Sequence, residues 1–228
     1  MVSQSSGRWV PKTCGSYLCP QCSPWLRIVA KKFVAAGCQL TPDSHRLTFL
    51  TLTDGAAGTM DMAGLAARWK ATAKALERRG WVDGGWCGSI ELQKRLALHP
   101  HVILRTPREL ADRLPTRAQA QAKRRDRFQW QLHFRELVPL VRELGWGKVA
   151  DWCQVANVES VAGYATEALS SYTTKQAHAQ LKQLGARRIR PVRHSKSWVP
   201  GKGLTDFRQG ERADPGPWID VRSVCGGT

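Results

Sequence analysis

The spacing of apolar and polar residues divides the first half of the chain into strand-like and helix-like segments. Residues 46–53 alternate in the two-residue period of a half-buried β-strand. Residues 86–92 and 98–105 are two further apolar runs that predict a hairpin with a short turn near 94–97. Helical spacing predicts one helix over 24–36 and another over 62–79, the latter ending at Gly80.

The second half of the chain also divides into helix-like and strand-like segments. Residues 107–144 predict a helical region interrupted near Pro115 and Pro139, and residues 151–158 predict a strand. Ser160 suits the N-cap of a helix running from about 161 to 184. After Gly185 the chain becomes basic and irregular, and beyond Pro200 it is rich in Gly and Pro.

The resulting order, β-α-β-β-α-β, predicts an α/β fold of the α+β kind. Such an order closes into an antiparallel sheet with helices on one face, a ferredoxin-like or RRM-like arrangement. We expect three parts: an N-terminal Cys-rich segment over 1–45, the main domain over 46–185 and a basic tail over 186–228.

The net charge of the chain limits which kinds of molecule it is expected to bind. The 228 residues contain 35 Lys and Arg against 18 Asp and Glu, a net charge of +17. A surplus of this size predicts a polyanionic partner, for which nucleic acid is the first choice and a membrane surface the weaker one. The polar, Ser-rich N-terminus has no apolar stretch typical of an export signal, and no apolar run is long enough to span a bilayer. We therefore expect a cytoplasmic protein with reduced thiols.

The pair His99-Pro-His101 carries the strongest chemical signal. Alternate residues of a strand share a face, so both imidazoles point the same way. Glu91 lies on the preceding strand of the hairpin, where the turn returns its carboxylate towards the rings. Two imidazoles and one carboxylate, with positions left open, suit a catalytic divalent cation such as Mg²⁺ or Mn²⁺.

A second metal site is predicted near the N-terminus. Cys14, Cys19 and Cys22 have the C-x4-C-x2-C spacing of half a structural zinc site, with Cys38 as the best available fourth thiolate and His45 as the next candidate. Free thiols are the alternative interpretation.

Two basic segments next to tryptophans predict contact with single-stranded DNA, since cationic grooves with aromatic platforms suit unpaired bases. Trp130 stands near the first segment and Trp198 at the end of the second. The predicted DNA-binding residues are Lys123, Arg124, Arg125, Arg187, Arg188, Arg190, Arg193, Lys196 and Trp198.

Taken in order, these motifs resemble a known family. Residues 49–53 (Phe-Leu-Thr-Leu-Thr), Glu91 with His99-Pro-His101, and Tyr172-Thr-Thr-Lys175 are similar to the three motifs of the HUH-type tyrosine endonucleases, the replication initiators of rolling-circle plasmids and phages. Residues 185–198 also resemble the basic tail of actinobacterial plasmid and phage initiators. The resemblance covers about residues 14–200 and implies a bacterial host.

The resemblance implies a tyrosine nucleophile assisted by a lysine. Lys175 follows Tyr172 by three residues, where it can stabilise the phenolate or hold the phosphate, whereas Glu167 occupies the equivalent position after Tyr164. Residues eight apart on a helix are only about 80° apart around its axis, so both hydroxyls can reach one site. Glu167 is then a candidate base for a terminating hydrolysis. Thr51 and Thr53 are interpreted as scaffold.

The implied activity is site-specific nicking and joining of single-stranded or hairpin DNA at a replication origin through a 5′-phosphotyrosine, with host replication proteins as further partners. Two alternatives stay open. One is a related HUH transposase or relaxase, and the other is a zinc-stabilised DNA-binding protein without catalysis.

Overall fold

The computed structural model describes residues 2–3, 16–19, 22–54, 62–92, 98–158, 162–163, 166, 169, 179, 191–210 and 218–219. Its strands are β1 (Val2–Ser3), β2 (His45–Asp54), β3 (Trp86–Leu92), β4 (Leu98–Pro107), β5 (Trp146–Gln154), β6 (Val192–His194) and β7 (Trp218–Ile219). Its helices are α1 (Ser23–Gln39), α2 (Met62–Arg78), α3 (Arg108–Ala111), α4 (Arg117–Gln121), α5 (Arg127–Trp130), a π-helix (Gln131–Leu137), α6 (Val138–Glu143) and α7 (Leu204–Gly210).

Five strands form one antiparallel sheet in the order β5-β2-β4-β3-β6, and β1 pairs with β7 separately. The predicted mixed α/β class with an antiparallel sheet is confirmed, as is the β-α-β-β-α-β order from β2 to β5. The last predicted strand was misplaced: β5 starts five residues before 151 and ends four residues before 158. Strand β6, which pairs with the free edge of β3, was not predicted.

The two sheet faces are covered by different helices, so the expectation that helices occupy one face is wrong. The connection between β2 and β3 covers one face: Trp69 of α2 contacts Trp86 at 5.0 Å between ring centroids, and Trp81 after α2 contacts Trp152 of β5 at 5.5 Å. Helix α1 packs on the opposite face, where Phe33 lies 4.7 Å from the His194 ring of β6. The apolar side of α1 therefore belongs to the same hydrophobic core as the sheet.

A buried guanidinium joins α1, the sheet and the chain after β6. Arg105 of β4 is 4% exposed. Its two terminal nitrogens donate to four carbonyl oxygens: Gly84 at 2.6 Å, Ser197 at 3.0 Å, Gly37 at 2.6 Å and Trp198 at 2.7 Å. Burial lowers the pKa of Arg105, opposed by the nearby Cys38. The planar fork is the only side-chain shape that reaches four acceptors in this way.

Trp198 closes over this guanidinium. The charged carbon of Arg105 lies 4.8 Å from the centre of the Trp198 ring, which is fully buried. The indole also packs so closely on Gly37 that no side chain fits there. The segment after β6 is thus bound to the C-terminal end of α1.

The segment between β4 and β5 is helical, as predicted, and breaks near Pro115. Thr116 and Asp126 cap the helices that follow, each with a Gln three residues later that bonds back to the cap. Near Pro139 the region stays helical but changes type, because the π-helix ends at Leu137 and α6 begins at Val138. In the described part of the chain, no helix combines the length and apolar character needed to cross a membrane.

We expect Arg105→Met to lower the free energy of unfolding by about 3–5 kcal/mol, because four buried carbonyls lose their charged donor. Urea denaturation followed by circular dichroism measures the change. Arg108→Met is the matched control: its side chain is 51% exposed and makes a surface ion pair with Asp112 and a long, exposed hydrogen bond to the Asp43 carbonyl, so the expected loss is below about 1 kcal/mol. Equal losses for the two variants would contradict the role of Arg105.

Candidate metal centre

The register of one hairpin brings the predicted metal ligands together. In the β3–β4 ladder Glu91 pairs with His99, and Ser89 pairs with His101. Directly paired residues place their side chains on the same face of the sheet, and so do residues two apart on one strand. Glu91, His99 and His101 consequently share one face, as the sequence predicted.

The three side chains converge closely enough to share an ion. Their ligand atoms all lie within 4.8 Å of one another. Glu91 Oε2 is 3.0 Å from His101 Nε2, and the two imidazole centroids are 5.8 Å apart with edge-to-face geometry. His101 is almost fully buried, while the Glu91 side chain is 36% exposed, so the cluster opens to solvent on the carboxylate side.

Neighbouring strand β2 fixes the orientation of His101. Thr51 pairs with His101, and its Oγ1 lies 3.3 Å from His101 Nδ1. The Phe49 ring stacks nearly parallel to the imidazole, 14° between planes at 5.9 Å. Across β3, the buried Ser89 hydroxyl has no hydrogen-bond partner among the described residues. A hydroxyl such as that of Thr51 can donate or accept, so it supports His101 whether the imidazole proton is on Nδ1 or on Nε2.

The electrostatic environment favours the protonation states that bind metals. The hydrogen bond from His101 lowers the pKa of Glu91 despite its partial burial. Burial lowers the pKa of His99, helped by repulsion from His101 and opposed by Glu91. At neutral pH the carboxylate is therefore charged and the His99 ring is neutral, the states in which each donates a lone pair.

This donor set fits a divalent cation. Metal–ligand bonds of about 2.1 Å at right angles place adjacent ligand atoms about 3 Å apart, the separation observed between Glu91 and His101. Thr51 supplies the outer contact that ligating histidines usually have. The donor types admit several divalent metals, of which Mg²⁺ and Mn²⁺ were predicted.

The predicted nucleophile and its assistants, Tyr172, Tyr164, Lys175 and Glu167, lie outside the described residues. Part of the segment predicted to form a helix is described: Ala162, Gly163 and Thr166 are helical, and the Thr166 hydroxyl donates to the Ala162 carbonyl at 2.8 Å. The predicted helix after Ser160 is thus confirmed over this turn. Ala162, Thr166 and Leu169 are buried, at the spacing of one helix face.

Cys38 is not the fourth zinc ligand. Cys22 and Cys38 stand at opposite ends of α1, and a rise of 1.5 Å per residue separates their Cα atoms by about 24 Å. Thiolates on one zinc ion lie only about 4 Å apart. Cys38 instead packs near Arg105 and Cys87, and burial raises the pKa of its thiol to about 12. His45 follows the same end of α1 and faces Asp83.

The remaining zinc ligands stay a prediction. Cys14 lies outside the described residues, and Cys19 and Cys22 form a turn in which the Cys22 N–H donates to the Cys19 carbonyl at 3.2 Å. Among the described residues, Glu91, His99 and His101 form the one cluster of three metal-ligating side chains.

Two predicted DNA contacts are structural instead. The Arg125 side chain is 4% exposed and pairs with Asp151 at 2.9 Å, and Trp198 is fully buried against Arg105. Lys123, Arg124 and Lys196 are exposed, and Arg193 is half-buried. The others, Arg187, Arg188 and Arg190, lie outside the described residues.

Sequence reasoning missed two contributors to this face. Thr51 was interpreted as scaffold but contacts His101, and Asp151, the partner of Arg125, was not singled out. The ladders place Asp151 opposite Thr51 and Thr51 opposite His101. The local pattern carried no signal for Thr51, because its contact depends on the register between β2 and β4.

Comparisons of the chain with models of known protein families, with curated proteins and with solved structures find no match. The function proposed below is therefore argued from the geometry of the site.

We expect His101→Ala and His99→Ala to abolish binding of Mn²⁺, since each removes one of three ligands. Thr51→Val should weaken it roughly 10- to 100-fold, because His101 loses its outer contact. Isothermal titration calorimetry with MnCl₂ measures both effects. His45→Ala is the matched control, a histidine at the far end of β2. If His101→Ala binds Mn²⁺ as tightly as His45→Ala, Glu91, His99 and His101 are not a metal centre.

Proposed function

We propose that this protein is an HUH-type DNA endonuclease and strand-transferase that initiates rolling-circle replication of a plasmid or phage. One observation carries the proposal: two imidazoles and a carboxylate converge on adjacent strands of an antiparallel sheet. The β-α-β-β-α-β order of the elements and the net charge of +17 support the same interpretation.

The chemistry follows from the difficulty of attacking a phosphodiester, whose negative charge repels nucleophiles. A divalent cation held by Glu91, His99 and His101 supplies charge neutralisation at a non-bridging phosphate oxygen and polarises the phosphorus. Thr51 and Phe49 hold His101 in the orientation that directs its Nε2 towards Glu91. The cluster is open on the Glu91 side, where a phosphate can approach.

In the proposed reaction the phenol oxygen of Tyr172 or Tyr164 attacks phosphorus in line. The new O–P bond replaces the P–O3′ bond, and the phenolic proton is balanced by protonation of the leaving 3′-oxygen. The products are a 5′-phosphotyrosine and a free 3′-OH that serves as a primer. Because the covalent link retains the energy of the broken bond, a 3′-OH can attack it and rejoin the strand without ATP.

The decisive experiment is a nicking assay on labelled single-stranded oligonucleotides that tile the DNA next to the gene, with Mn²⁺ or Mg²⁺, resolved on denaturing gels. Wild type should form a covalent protein–DNA adduct. Loss of the adduct in Tyr172→Phe or Tyr164→Phe would identify the nucleophile. His101→Ala should slow the reaction roughly a hundredfold or more, whereas His45→Ala should not.

Tight DNA binding without any metal-dependent adduct across the tiled region would contradict the nickase and favour the non-catalytic, zinc-stabilised DNA-binding protein. An adduct formed only on DNA outside a replication origin would favour the related transposase or relaxase.

A further inference from the structure

Two aromatic side chains are exposed together on the helical segment before β5. Trp130 is 52% exposed and Phe134 is 41% exposed, with ring centroids 4.1 Å apart. They lie four residues apart, at the junction of α5 and the π-helix, and so project from the same side. Exposed neighbouring aromatics are unfavourable in water unless a partner covers them. Irregular π turns are also frequent at functional sites.

Basic side chains surround this aromatic pair. Arg127 and Arg135 line a concavity together with Trp130. Arg124 is exposed in the loop that leads into α5. The acidic residue of the concavity, Asp126, is engaged as the helix cap and accepts from the Gln129 N–H at 2.7 Å. The surface therefore combines cations with open aromatic faces, the two features that bind the backbone and the bases of a single strand.

A continuous series of contacts joins this surface to the metal centre. His101, Thr51 and Asp151 stand side by side on one sheet face, and two strand spacings place Asp151 about 10 Å from His101. Arg125 donates to Asp151 at 2.9 Å, and its guanidinium lies 5.9 Å from the Phe134 ring centre. Arg125 thus connects the aromatic pair, through Phe134, to the β5 edge of the sheet.

We propose that this aromatic-basic surface (Arg124, Arg127, Trp130, Phe134 and Arg135) binds unpaired bases of the DNA strand that passes from the metal centre across β2 and β5. The inference rests on the proposed function for the identity of the strand, but its test needs no catalysis. Trp130 and Phe134 stack on bases, and the arginines contact phosphates. Duplex DNA cannot stack on Trp130 and Phe134, because its bases are already stacked on one another.

Binding is measured by fluorescence anisotropy with a labelled single-stranded oligonucleotide of about 20 nucleotides in EDTA. Trp130→Ala and Phe134→Ala should each raise the Kd roughly tenfold, by about the same factor at low and high salt, since stacking releases few counterions. Arg127→Ala and Arg135→Ala should instead reduce the slope of log Kd against log salt, by about 0.7 for each lost phosphate contact.

The matched controls are an exposed apolar residue and an exposed arginine elsewhere. Leu40 is 52% exposed at the end of α1, and Arg78 is exposed at the end of α2. Leu40→Ala and Arg78→Ala should leave the Kd within twofold of wild type. Thermal melting verifies that Trp130→Ala, an exposed substitution, remains folded. A blunt duplex of the same sequence should bind Trp130→Ala and wild type equally.

The inference is overturned if Trp130→Ala and Phe134→Ala lose no more affinity than Leu40→Ala. It is also overturned if Trp130→Ala abolishes a self-association seen by sedimentation without changing DNA affinity, since the surface would then bind a second copy. An RNA strand bound more tightly than DNA through the same residues would overturn DNA as the occupant.

Failure here is distinguishable from failure of the proposed function. If the nicking assay succeeds and Trp130 does not matter, only this surface is wrong. If Trp130 controls single-strand binding but no metal-dependent adduct forms, the aromatic-basic surface does bind single strands and the proposed nickase activity is contradicted.

Discussion

The antiparallel register between β3 and β4 is the constraint on which the rest of the candidate site depends. It sets Glu91 opposite His99 and Ser89 opposite His101. A slip of one residue would turn every side chain of one strand to the other face and separate the carboxylate from the imidazoles. Burial on both faces prevents the slip, because Val102 and Ile103 are each nearly inaccessible and their exchange would disrupt two packed layers.

On one face of strand β4, some side chains stabilise the fold and others belong to the candidate site. Its His99 and His101 belong to the candidate metal centre at one end, and Arg105 at the other end joins α1 to the chain after β6. Both ends place polar groups in a buried setting, where hydrogen bonds hold the His101 ring and the two terminal nitrogens of Arg105. The rigidity of a central strand, paired on both sides by β2 and β3, keeps the imidazoles in place for chemistry.

The arginines behind the large positive charge are of two kinds, buried and exposed, which composition alone cannot distinguish. Arg105 and Arg125 are buried and bind carbonyls or a carboxylate, whereas Arg124, Arg127 and Arg135 are exposed around Trp130. Tryptophans divide in the same way, since Trp198 is a core residue and Trp130 is exposed. Arg125 contacts both sets, because it pairs with Asp151 of the sheet and lies 5.9 Å from the ring centre of the exposed Phe134.

Local pattern was sufficient for some of this architecture. The two-residue period identified the hairpin and the face shared by Glu91, His99 and His101, and helical spacing identified α1 and α2, because these signals depend only on neighbours in the chain. Tertiary structure alone decided the rest. Trp198 became part of the core because Arg105 lies beneath it, and Thr51 contacts His101 because β2 pairs with β4. Each outcome joins residues distant in sequence, which no local periodicity encodes.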